Sequence, residues 1–344
     1  MESKLQVRIL PEYPFGLAYG GLEMQCQRTL NELAKIAPGI KYLDYFSRAD
    51  NFDLLHIFGN PPGLYEACYY AHSHKKIVIS AVCGAMNISL TRATYYKIFS
   101  KALNLLNQRN DYERLRYMFQ SASHIICLNS LEKQYIQNYY DINSTKISII
   151  PNGVEKAFFF ATSDLFIKRY GINDFVLYSG NIVKRKNPLL LAKVLSDMNI
   201  KGVFIGGVVG DEPEYVKQFE EIVNASPNLL WVKGLASSDP LLASAYAASK
   251  VVCLPSIAET QPQVALEAMA LGKPVILADM PYAYQEPFTD VLRCSIDGRD
   301  SLVDCIHCAL DNPEVHTHPL SDIYKWENIA KSIVDIYKRL DRDH

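Results

Sequence analysis

Residues 250–278, KVVCLPSIAETQPQVALEAMALGKPVILA, decide the fold. Val251 to Leu254 is a short apolar, β-branched run that Pro255 and Ser256 stop. A polar loop follows, and then an Ala-, Leu- and Met-rich segment closed by Gly272 and Pro274. The pattern predicts strand, loop, helix, strand. Between Pro262 and Gly272 the helix carries almost nothing but apolar side chains, so burial on most sides is expected, and Glu267 is its only charge. A carboxylate in that setting calls for a partner; the alternative is an ordinary solvated helix glutamate. Glu259 lies eight positions upstream at the mouth of the loop, with Glu267 roughly two turns into the helix, so both carboxylates can face one cleft.

The whole chain, 344 residues with 49% hydrophobic content, can bury two cores and predicts about two domains. A net charge of −2 argues against nucleic-acid binding. No apolar run reaches the roughly 18 residues of a membrane span, and Met1-Glu2-Ser3-Lys4 leads into a strand pattern instead of a signal peptide, so a soluble, cytoplasmic protein is expected. The eight cysteines are scattered, mostly inside apolar runs where Cys behaves as a small hydrophobe, and are expected to be free thiols. Cys305 and Cys308 bracket His307 in a CxxC, but no second ligand pair stands at zinc-finger spacing.

From the N-terminus, residues 5–10 predict a first strand, and residues 11–21 a loop containing Gly20 and Gly21. Leu22, Cys26, Leu30 and Leu33 then recur at helical spacing. Strand, glycine pair and helix is a geometry for backbone approach to a phosphate; an ordinary turn has the same sequence. Residues 52–58 and 76–82 predict further strands with a helix near 62–72 between them, an alternation that indicates a parallel sheet. Residues 91–120 predict a long helix mixing aromatic and aliphatic residues with Lys97, Lys101, Arg109, Arg114 and Arg116. It packs on the sheet with a solvated basic face, or over 91–118 meets a membrane surface and a lipid-linked acceptor. Residues 125–128 and 147–150 complete the first set of strands. The second half repeats the pattern with strands at 175–179, 201–205, 229–232, 251–254 and 274–277. After the first of these comes Gly180-Asn181-Ile182-Val183-Lys184-Arg185-Lys186-Asn187, with Asn187 predicted to cap a helix that Pro188 begins. Three adjacent cations are commonly a solvated run; beside a helix start in a cleft they suit a leaving diphosphate.

Glu259, seven residues, Glu267, then Ala268-Met269-Ala270-Leu271-Gly272-Lys273-Pro274-Val275-Ile276 resembles the donor-binding signature of the retaining GT-B glycosyltransferases of family 4. Pro151-Asn152-Gly153-Val154 resembles the segment that joins the two halves of such enzymes, and Gly20-Gly21-Leu22-Glu23 resembles their donor-facing loop. The resemblance implies an α/β chain of two doubly wound Rossmann-like domains facing a central cleft. Residues 1–150 would be the acceptor side, 151–320 the donor-binding domain, and 321–344 a helix returning to the first domain, anchored by Trp326 and Tyr337. It implies that Glu259 contacts the transferred sugar and Glu267 the ribose, that Lys186 holds the diphosphate, and that Gly180, Gly206 and Leu235 line the nucleotide site. Departures accompany it. Asn181 stands where an Arg is expected, with Lys184 or Arg185 as replacements. Cys83 stands where a His commonly reaches the sugar, which leaves it a sugar-facing candidate only. Thr260-Gln261-Pro262-Gln263 replaces a Gly-rich run, placing Gln261 and Gln263 at the donor and removing one N–H at Pro262.

The activity so implied is a hexosyltransferase that moves a sugar from a nucleoside diphosphate donor to a saccharide or lipid-linked hydroxyl acceptor with retention, in glycan, polysaccharide or glycolipid synthesis. No cofactor and no metal is expected, because lysine and helix N-termini supply the charge, and peripheral contact at an inner membrane face is part of the same expectation. A nucleotide-sugar-binding module with weak or lost turnover is the alternative that Cys83, Asn181 and Pro262 suggest. A dinucleotide dehydrogenase is disfavoured, because no Gly-x-Gly-x-x-Gly follows the first strand.

Overall fold

The computed structural model describes residues 5–17, 20–47, 50–83 and 110–342. The chain divides into two units, Met1–Gly153 with Ile323–His344, and Val154–Asp322. In the first, β1 (Val7–Pro11), β2 (Ile40–Tyr42), β3 (Leu54–Phe58), β4 (Lys76–Ser80), β5 (His124–Cys127) and β6 (Ile147–Ile149) form one six-stranded sheet in the order β2-β1-β3-β4-β5-β6. All its pairings are parallel. Crossover helices cover a parallel sheet on both faces, which is why β3 reads LLHIF and is buried at every residue. The helices described here are α1 (Gly21–Ile36), α2 (Tyr65–His72), α3 (Asp111–Ser121) and α4 (Ser130–Tyr140). Of the helix expected over 91–120, and of the membrane contact expected over 91–118, everything up to residue 109 lies outside the described residues.

The second unit opens with two short helices, α5 (Ala157–Phe160) and α6 (Asp164–Tyr170). Its strands are β7 (Phe175–Ser179), β8 (Gly202–Ile205), β9 (Leu229–Val232), β10 (Ser249–Leu254), β11 (Val275–Ala278) and β12 (Leu292–Cys294), with α7 (Pro188–Asp197), α8 (Pro213–Ala225), α9 (Pro240–Ala248), α10 (Gln263–Ala270) and α11 (Arg299–Asp311) between and after them. The sheet order is β12-β11-β10-β7-β8-β9, again entirely parallel. Strand order therefore reverses between β7 and β10, and the loops at the carboxyl ends of strands flanking such a reversal form the crevice where doubly wound sheets bind ligands.

The last helix, α12 (Trp326–Arg342), belongs to the first unit. It buries Ile329, Ile333, Tyr337 and Leu340 in one core with Val7, Ile9, Leu30 and Leu33. Tyr337 meets Nδ1 of the buried His56 at 2.5 Å, and Ser80 Oγ lies 2.8 Å from its Nε2. Burial drives the His56 imidazole down to about 3, so it stays neutral in this core. Trp326 explains Gly153, because a Cβ there would come within 2.4 Å of the indole. The glycine expected as a turn residue is thus also a packing residue. Two edge strands escape the sequence reading, β2 and β12, each three residues long.

Candidate functional site

The carboxyl ends of β7 and β10 come together in the second unit through their backbones. Arg185 O accepts from the N–H of Ile257 at 2.8 Å and from Ser256 Oγ at 3.3 Å. These contacts set the side chains of residues 185, 186 and 259 against one another. Oε1 of Glu259 accepts from Ser256 Oγ at 2.9 Å, lies 3.2 Å from Arg185 Nη1 and 3.4 Å from Lys186 Nζ. Arg185 Nη1 also donates to Ala258 O. Ser256 is itself held, since the buried Tyr282 hydroxyl donates to its carbonyl at 2.7 Å. The Glu259 and Lys186 side chains retain 14% and 17% exposure and that of Arg185 51%, so the charges sit in a half-dry corner where pairing is stronger than in open water. Lys184, the third cation, is exposed and shares none of these contacts; its N–H donates to Glu212 Oε2 at 2.6 Å.

Glycine geometry brings the neighbouring loop in. Gly180 and Gly206 take φ of 149° and 157°, and a Cβ on Gly206 would lie 2.0 Å from Gly180 O. A residue with a side chain at 206 would force the β7 and β8 loops apart. Lys186 folds over Gly180, its Nζ 3.4 Å from where a Cβ would stand. Asn181 is half-buried, and its carbonyl accepts from Tyr178 OH at 2.8 Å. Asn187 departs from expectation. It adopts φ 55°, ψ 37° without capping α7 by its side chain, whose Nδ2 donates to Ile296 O at 3.3 Å; Pro188 does begin the helix. From the N-cap position this left-handed Asn turns the chain sharply from the cationic loop into α7.

Helix α10 starts at Gln263, so Glu267 stands four residues beyond its first position, about 6 Å along the axis and not two turns. Glu267 is 5% exposed, and Tyr246 OH donates to its Oε2 at 2.9 Å. Gln261 is buried at 6% exposure and Gln263 half-buried. Leu235, half-buried after Gly234 at φ 78°, follows β9 at the far edge of the sheet from β12, so Arg185, Lys186 and Glu259 are the close group and Leu235 stands apart from it.

In the first unit, Gly20 N–H donates to Glu23 Oε2 at 2.8 Å as α1 begins, and a Cβ on Gly21 would meet nothing within 4 Å. Among the described residues, then, no packing contact demands glycine at 21. Cys83 is buried at 6% exposure within the core cluster of β3, β4, β5 and α3. Its side chain thus packs as a core thiol. Its N–H donates at 2.6 Å to Oε1 of Glu132, whose Oε2 takes the N–H of Leu128 at 2.6 Å. Glu132 is 0% exposed, and burial pushes its carboxyl up to about 8 against the pull of those two N–H groups. Sequence reasoning missed Glu132, although Asn129 three residues before it, at the start of a helix, is a capping signal. It also missed Ser256, Tyr246 and Glu12. Glu12 crowds Gly59, and burial together with the Glu23 charge raises its carboxyl.

All eight cysteines are free, and all but Cys308 are buried. Among the described residues no cluster of three or more His, Cys, Asp or Glu side chains could hold a metal ion. No helix among them is long and apolar enough to cross a membrane.

Comparison with known proteins follows the same two-part division. A family profile described as Glycosyl transferases group 1 matches residues 166–317, and one described as Glycosyltransferase Family 4 matches residues 28–158. The chain is 24% identical over 241 residues to a D-inositol 3-phosphate glycosyltransferase of Corynebacterium glutamicum, a match covering 62% of this chain and 56% of that one. The chain thus spans a little over half the length of that curated relative. Sucrose-phosphate synthase from Thermosynechococcus elongatus superposes with a TM-score of 0.73 over 98% of this chain and 100% of its own, at 17% identity. Anabaena HepE in complex with UDP and glucose gives 0.62 over 97% and 99%, at 15% identity. At these identities the two structures speak for the GT-B fold.

Proposed function

The chain belongs to the group 1, family 4 glycosyltransferases, and from that premise we propose that it transfers a sugar from a nucleoside diphosphate donor to a hydroxyl acceptor with retention. One observation carries the proposal: at the strand-order reversal between β7 and β10, Arg185 and Lys186 converge on Glu259 in a half-buried corner. A cation pair fixed where doubly wound sheets take ligands suits a diphosphate, and a carboxylate beside it suits the sugar's hydroxyls. The relative solved with UDP and glucose has the same fold.

In the proposed step the acceptor oxygen attacks the anomeric carbon on the face the diphosphate leaves. The bond from that carbon to the phosphate oxygen breaks, and the acceptor's hydroxyl proton passes to the departing phosphate. Negative charge grows on the diphosphate as this happens, so Lys186 and Arg185 stabilise the transition state more than the bound donor. Glu267 is assigned to the ribose hydroxyls, and the loops at Gly180, Gly206 and Leu235 to the nucleotide. The acceptor is a saccharide or a lipid-linked saccharide. With two side-chain cations beside the diphosphate, turnover is expected to survive a chelator.

The test is incubation with radiolabelled UDP-, GDP- and ADP-sugars, with and without EDTA. Slow release of free sugar from one donor, undiminished by EDTA, is the expected result. Nucleotide binding without any donor cleavage, even with a panel of saccharide acceptors, would make the chain a binding module; the absence of nucleotide binding would overturn the reading altogether.

A further inference from the structure

We infer that Glu259, besides its assignment to the sugar, acts in the ligand-free protein as an internal stand-in for the diphosphate, holding the cations the donor must recruit and reclaiming them when the nucleoside diphosphate leaves. The inference rests on the proposed transferase reading and concerns how the same site empties. It starts from the crowding on one atom. Oε1 of Glu259 alone receives Ser256 Oγ at 2.9 Å, Arg185 Nη1 at 3.2 Å and Lys186 Nζ at 3.4 Å. A carboxylate whose task was to accept sugar hydroxyls would not need two cations on one oxygen. Two cations meant for a diphosphate do need an anion when no diphosphate is bound, because unpaired charges in a half-dry corner are costly.

The partners differ in what they can give up. Ser256 is fixed by its backbone and by Tyr282, so its hydroxyl holds Glu259 in place whatever the cations do. Arg185 and Lys186 are long side chains with rotatable stems, and Arg185 is half exposed. An arriving diphosphate can therefore turn both cations toward itself while Glu259 keeps its Ser256 bond and one negative charge. That charge then stands beside the diphosphate. It opposes binding, and it opposes it most for the product, which lacks the sugar that could use the carboxylate. An internal anion of this kind raises the dissociation rate of the spent nucleotide, and product release is the slow step of many enzymes.

Glu259→Gln tests this, since the amide keeps the size and can still accept from Ser256 while losing the charge. Titration calorimetry with UDP, GDP and ADP is expected to show the preferred nucleotide binding the variant on the order of tenfold more tightly than wild type. The sugar-bearing donor gains less or binds more weakly, so the two affinities shift apart. In an Arg185→Ala background the same substitution should yield a smaller gain, because one of the contested cations is gone. Ser256→Ala, which loosens the loop but keeps the charge, should not tighten nucleotide binding. A damaged fold would weaken binding, so a gain cannot arise from misfolding. Equal or weaker nucleotide affinity in Glu259→Gln overturns the inference while leaving the transferase reading intact. Failure of wild type to bind any of the three nucleotides overturns both.

Discussion

Glu132 and Glu259 each stand a few residues beyond the carboxyl end of a parallel strand, β5 in one unit and β10 in the other, and the protein treats them oppositely. Glu132 is 0% exposed and is met by two backbone N–H groups, with no cation among the described residues contributing to its setting. Glu259 keeps 14% of its side chain exposed and gathers two cations and a hydroxyl on one oxygen. Burial alone does not say whether a carboxylate can change partners; the kind of partner does. Backbone N–H groups cannot be surrendered without unmaking the turn, so Glu132 ties the end of β4 to the start of α4. Lysine and arginine side chains can be reassigned to an arriving anion, so Glu259 sits in an exchangeable network.

The largest expected effect sharpens the Glu132 side of this contrast. Its carboxyl is raised from 4.5 to about 8 by burial. Between those values the unfolded chain has released the proton and the folded chain still holds it, so stability falls as pH rises through that window and levels off above about 8. Cys83 and Cys127, which face Glu132, do not contribute there, because burial raises both thiols far above their ordinary range. Urea unfolding at pH 5.5 and 8.5 should show wild type losing on the order of a few kcal/mol relative to Glu132→Gln, which carries no titrating group. Equal pH slopes in the two proteins would mean that Glu132 is ionised throughout and that its N–H bonds outweigh its burial.

Next in size is the Glu259 side. Lys186→Ala and Arg185→Ala should each lower kcat more than they raise KM, by on the order of 10²-fold, as expected for the loss of a charge-stabilising donor. Lys184→Ala should do little, since that side chain is exposed and makes no contact with Glu259. Steady-state kinetics on the preferred donor decides the matter. Sensitivity at Lys184 with indifference at Arg185 would move the diphosphate one residue along the loop, and indifference at all three would remove it from this corner.

The unequal legibility of the two carboxylates has a physical origin. Glu267 was visible in sequence because it punctuates a helix that is otherwise apolar, and Glu259 because it stands eight positions upstream in a pattern that resembles a family signature. The other strands of both sheets were visible as continuous apolar runs, such as FVLYS in β7. Glu132 lies in LNSLEKQYI, an ordinary amphipathic helix start; its complete burial comes from β4 and β5 closing over it, and nothing local records that. The burial of Cys83 was hidden for the matching reason, because it is set by distant residues such as Met118 and Cys127. Strands β2 and β12 are three residues long, too short for a period to show. Asn187 before Pro188 does stand at the N-cap of α7, but Asn favours both side-chain caps and left-handed turns, and only the path of the chain into α7 decides which it makes.

Glu267 is the case that can break the rule about partners, since it combines the two patterns. It is 5% exposed, nearly as buried as Glu132, yet its Oε2 accepts from a side-chain hydroxyl, that of the fully buried Tyr246. If partner type decides, Glu267 belongs with Glu259 and can hold ribose hydroxyls. Glu267→Ala should then weaken the nucleoside diphosphate and the nucleotide sugar together, by about tenfold for two lost hydroxyl contacts to a charged acceptor. Tyr246→Phe is expected to do less. It removes one donor to Glu267 and leaves the carboxylate in place, so stability should drop by about 1 kcal/mol while nucleotide affinity changes by no more than a few-fold. Calorimetric titration with the preferred nucleotide and urea unfolding, run on both variants, separate the outcomes. Should Glu267→Ala bind the nucleotide as well as wild type and lose only stability, Glu267 is a second brace like Glu132; burial would then have outweighed partner type, and the ribose would need another acceptor at the carboxyl edge of this sheet.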